Sequence, residues 1–171
     1  MKRFPMAIMS GLAALAISST AGAEKKDAKT NSAFEQIKAL SGTWTGKGEM
    51  EGKEQTMTTK FRVTSAGTAV EEVMFPGTGH EMVNMYYPDG DGVSMVHYCA
   101  MGNQPRLKLT SKGGKKLDFT YVDGSNIPSP DSPHMSDVSL TIKGKDKLTE
   151  DWKSTGGESK KPTTFVFTRV E

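Results

Sequence analysis

The groups on which most enzyme and metal chemistry depends are scarce in this chain. Its 171 residues include one cysteine and three histidines. A single cysteine excludes an internal disulfide, and neither a Cys-x-x-Cys nor a His-x-x-x-His chelate is present. There is no Gly-x-Ser-x-Gly elbow and no phosphate-cradling glycine loop. Asp89-Gly-Asp-Gly92 lacks the further oxygen ligands of a calcium loop and reads as a turn. These absences imply a protein that is not an enzyme and carries no cofactor. No apolar run reaches the ~20 residues that a membrane-spanning helix needs.

Excess charge of one sign is also missing. The formal net charge of +2 comes from 22 basic and 20 acidic residues, and Lys2 and Arg3 account for the difference. Both fall in Met1–Ala23, which has a basic start, a mostly apolar stretch over Ala7–Ile17 and a small-residue cleavage site at Ala21-Gly-Ala23. That pattern predicts a bacterial-type signal peptide and an exported protein, periplasmic or secreted, with no stable membrane insertion after cleavage. Residues 24–171 then carry 20 charges of each sign, which argues against a nucleic-acid partner. Their length suits one domain with one core.

Residues 24–31 are polar and read as a flexible lead-in to a domain over 32–171. Phe34, Ile37 and Leu40 recur at helical spacing behind Asn31 or Ser32 as N-cap, which predicts a short helix over 32–40. Everything after it reads as strands divided by Gly-rich or Pro-rich turns: 43–50, 54–64, 68–75, 80–88, 92–101, 104–111, 116–123, 134–143, 147–154 and 163–170. Ten short strands in series predict an all-β fold. Its form is an antiparallel up-and-down β-barrel of about ten strands, because closure removes exposed edges. Residues 123–133, with Pro128, Pro130 and Pro133, form the one long connection, as a mouth or lid segment would.

The clearest local signal is the hairpin over 80–101 with its turn at Pro88-Asp-Gly-Asp-Gly92. The turn sets a register in which Asn84 faces His97, Tyr86 faces Met95, Met82 faces Cys99 and His80 faces Met101. Strand alternation then puts all eight on one face, with Val83, Met85, Val96 and Tyr98 on the other. The first face mixes polar groups with soft apolar ones, as a ligand pocket does.

Leu40-Ser-Gly42-Thr-Trp44-Thr-Gly46-Lys-Gly48, a helix running into a Gly-x-Trp strand, resembles the opening of the calycin superfamily. Arg169 in the closing strand matches the arginine that packs over that tryptophan in the superfamily. The extended Gly-x-Trp-x-Gly-x-Gly pattern with ten strands looks closest to nitrobindin-like barrels and to an uncharacterised set of secreted bacterial lipocalin-like proteins. The resemblance implies structural roles for Trp44 and Arg169 and a small ligand in the lumen. Nitrobindin-like proteins hold haem through a histidine near the C-terminal strands, and this chain has none after His134.

The expected function is an exported barrel that binds or carries a small, largely apolar molecule. Met82, Asn84, Tyr86, Met95, His97 and Cys99 line its site, and Arg106 offers a guanidinium to an anionic group. The alternative is an envelope protein holding a soft metal such as copper through His97, Cys99 and Met82. Glu150, between Leu148 and Trp152 on an apolar face, requires a partner, for which His134 or His97 is the candidate.

Overall fold

The computed structural model describes residues 31–50, 53–111, 114–156 and 161–170. The signal-peptide reading and nearly all of the lead-in fall outside those residues. One helix, α1 (Ser32–Lys38), precedes ten strands: β1 (Gly42–Met50), β2 (Lys53–Thr64), β3 (Ala69–Met74), β4 (Met82–Asp89), β5 (Gly92–Tyr98), β6 (Gln104–Ser111), β7 (Lys116–Ser125), β8 (His134–Lys143), β9 (Lys147–Thr155) and β10 (Thr163–Arg169). Each strand pairs antiparallel with the next, and β1 closes on β10. The protein is a ten-stranded up-and-down barrel. Among the described residues no helix is long and apolar enough to cross a membrane.

The helix closes one end of the barrel. The Asn31 side chain accepts from the Phe34 amide as N-cap and donates to the Gly92 carbonyl at 2.7 Å, tying α1 to the β4–β5 turn. Phe34, Ile37 and Leu40 are buried over the lumen, and the Trp44 indole donates to the Leu40 carbonyl at 2.8 Å. Gly46 follows on the same face of β1, where a Cβ would sit 1.9 Å from the Val166 carbonyl oxygen. Only a residue without a side chain lets β1 and β10 approach this closely. The opposite end carries the β3–β4, β5–β6 and β7–β8 connections and forms the mouth.

The hairpin register follows the turn. Asn84 pairs with His97, Tyr86 with Met95 and Asp89 with Gly92, with Gly90 at φ 59° in the turn. Two ends differ from the expected limits. β4 begins at Met82 and β5 stops at Tyr98, so His80 is exposed in the β3–β4 connection and Met101 is 56 % exposed in a tight turn. Gly77 and Gly102, both at positive φ, permit the turns that end pairing before those residues.

Candidate functional site

Alternation along β3 turns Val70, Glu72 and Met74 inward and leaves Glu71 outside, paired with Arg62 at 2.7 Å. Glu72 is completely buried. It receives hydrogen bonds from the Thr59 hydroxyl, the Asn84 amide nitrogen and the Tyr86 hydroxyl, each at 2.8 Å. Those donors come from β2 and β4, the two strands flanking β3. Three protein donors thus take the place of water around its two oxygens.

Glu150 reaches the same region from β9. It alternates with Leu148 and Trp152 on the inner face, and the Trp152 indole donates to its Oε2 at 3.1 Å. Its Oε1 accepts no hydrogen bond from a protein donor. Burial first, and then the charge of Glu72, push the Glu150 carboxyl well above the ordinary value. Burial thus holds Glu150 as a neutral acid, with its Oε1 facing no protein donor. The same burial, reinforced by both glutamates, raises Tyr86 and keeps its hydroxyl a donor.

From Glu72 the network continues to His97. The Asn84 amide nitrogen is committed to Glu72, so its oxygen faces His97 Nδ1, 2.6 Å away. That assigns the proton to Nδ1 and leaves a lone pair on Nε2. Burial lowers the His97 pKa to about 4, so the ring is neutral. It lies 5.0 Å from the Trp152 ring, 1 % exposed, and Nε2 has no hydrogen-bond partner. Asn103 Oδ1 nearer the mouth is likewise unpartnered, although its amide nitrogen donates to the Pro133 carbonyl at 2.8 Å.

Of the residues expected to line a site, Asn84, Tyr86, Met95, His97 and Cys99 are buried on the inner face, and Met82 packs against the core. Arg106 stands apart from them. Its neighbours Pro105 and Leu107 take the inward positions on β6, so its guanidinium lies outside and clamps Asp123. His134 does not meet Glu150. Its Nδ1 contacts the Ser132 carbonyl oxygen at 2.7 Å, and its ring lies 4.2 Å from Tyr121. Glu150 meets Trp152 and Glu72 instead, because the barrel brings β3 across from β9.

Trp44, Glu72, Asn84, Tyr86, Met95 and Glu150 present no surface that a water molecule could touch. The barrel is filled by protein at their level. Space opens at the mouth, where β2 extends past the end of β3. A recess of about 210 Å³ there is lined by Gln55, Met57, Thr58, Phe75, Thr78 and His80, among others. Phe75 holds a left-handed backbone (φ 53°) with its ring buried edge-on against Phe165 at 5.3 Å. Phe75, Glu72 and Thr59 escape a reading of the hairpin alone, and only the adjacent Glu71-Glu72 pair in a strand signals that one acid must face inward.

Among the described residues no three of His, Cys, Asp and Glu gather as metal ligands do, a set that leaves methionine sulfur aside. No protein-family model matches the chain, and no curated protein sequence matches it, so its site stands on its own geometry.

Proposed function

We propose that this chain is an exported, calycin-like, non-enzymatic barrel that holds a small, largely apolar molecule at the mouth of its lumen. The carrying observation is the division of the interior. The helix-capped half is solid, and a recess lined by Met57 and Phe75, with hydroxyl and amide groups from Thr58, Thr78 and Gln55, lies at the other end. Its lining sets Met57, Phe75 and Pro76 among polar residues, which offers a small ligand apolar contact together with hydrogen-bonding groups.

Titration with 8-anilinonaphthalene-1-sulfonate, a small amphiphilic fluorophore, tests the proposal. Saturable binding of one molecule per barrel is expected, and Thr56→Trp, which fills the recess from the exposed end of β2, should weaken it on the order of tenfold. Absence of saturable binding, or binding indifferent to Thr56→Trp, overturns it. Native mass spectrometry of protein from its own host would then identify the occupant.

A further inference from the structure

We infer that His97 Nε2, Cys99 Sγ and Met82 Sδ form a binding site for one soft monovalent cation of the copper(I) class. The site stands independently of the small-molecule reading and uses different atoms.

The first observation is the lone pair on His97. Glu72 orients Asn84, and Asn84 orients the ring through Nδ1, the nitrogen nearer the backbone. The far nitrogen, Nε2, consequently reaches into the lumen, buried and unpartnered. A histidine whose other nitrogen donates to a fixed carbonyl is how proteins orient a metal-binding imidazole.

The second observation is the sulfur beside it. Cys99 is two residues further along the same inner face, at a Cα spacing of roughly 7 Å, which lets neighbouring side chains of one strand converge on an ion. β4 and β5 pair as far as Val83 with Tyr98, and the next residues outward are Met82 and Cys99. Met82 in turn pairs across the sheet with Met74, whose sulfur lies 3.3 Å from the Asn84 amide nitrogen. One thiol and two thioethers therefore share a level near the mouth, one step along the inner face from the imidazole. Cys99 is still 9 % exposed there, so an ion has a way in.

Charge then selects the ion. The thiol releases its proton to solvent as the sulfur–metal bond forms. A monovalent cation with one thiolate, a neutral imidazole and a thioether has no net charge, which suits an apolar interior. A divalent ion would leave one positive charge, and the nearby Glu72 carboxylate already holds three donors. Soft sulfur donors favour copper(I) over zinc or magnesium in any case.

Anaerobic titration of the reduced full chain with copper(I), in competition with bathocuproine disulfonate, tests this. One ion per chain is expected, with X-ray absorption showing mixed nitrogen and sulfur ligation and no displacement by zinc. Cys99→Ser should weaken binding on the order of tenfold or more. Met82→Leu, which conserves volume and preserves the fold, should weaken it less and remove one sulfur from the absorption spectrum. No uptake, or uptake unchanged in both variants, overturns the site, and the fluorophore titration is unaffected by either result.

Discussion

The Arg169 guanidinium lies 4.1 Å from the centre of the Trp44 ring, and the two residues are cross-strand partners where β10 closes on β1. The same guanidinium donates to the carbonyls of Ala39 and Ser41 at the end of the helix segment. One side chain thus ties together the helix, the first strand and the last. Trp44→Ala should cost on the order of 3–5 kcal/mol. A double-mutant cycle with Arg169→Ala, read from urea unfolding, should show a coupling of about 1 kcal/mol or more. Additive effects would mean that the stacking contributes nothing.

The neutral acid at Glu150 makes the barrel weaken as pH rises. Glu150 has a folded pKa above its unfolded value, so the folded state holds more protons and stability is lost with increasing pH. His97 acts in the opposite sense below pH 6.5, where the unfolded state binds the extra proton. Above pH 6.5 the His97 effect is complete, and the urea midpoint should fall with rising pH until the folded Glu150 ionises. Glu150→Gln removes the ionisable group at the same size and should flatten the slope.

Acid should act through His97. Its depressed value supplies stability that is complete above pH 6.5 and is lost as pH falls toward about 4. The loss at the acid end is on the order of 3 kcal/mol, since each tenfold difference in proton affinity between the folded and unfolded chain is worth about 1.4 kcal/mol. Nitrogen-15 spectra should show the proton on Nδ1 at neutral pH and no titration of this ring above pH 5. A midpoint near 6.5 would mean that the ring reaches water.

Gly46→Ala should destabilise the closing seam. The new methyl group would overlap the Val166 carbonyl, which belongs to backbone and has no rotamer to move. A loss of roughly 3 kcal/mol is expected, at the upper end of the range for overpacking. Gly90→Ala, in open space, should cost far less despite its positive φ.

Cys99 should label slowly with a bulky disulfide reagent in the native protein, because it is buried on the inner face. Labelling as fast as in urea would place the thiol on the surface and remove the sulfur from the metal site.

What the sequence determined by itself is the local part of this protein. Pro88-Asp-Gly-Asp-Gly92 sets its own turn, the turn sets the pairing of Asn84 with His97, and a period of two then decides which residues share a face. The ten strands, the N-cap at Asn31 and the glycines of β1 are legible for the same reason, since each depends on neighbours in sequence. The site required closure of the barrel. Glu72 and Glu150 are far apart in the chain, and nothing local indicates that β3 and β9 face each other across a lumen narrow enough for one carboxyl to raise the pKa of the other. Arg106 was legible in position but not in direction, because alternation fixes which residues go together and not which set goes inside. That choice was made by packing: a filled apolar interior accepts Leu107 and leaves a guanidinium to solvent and Asp123.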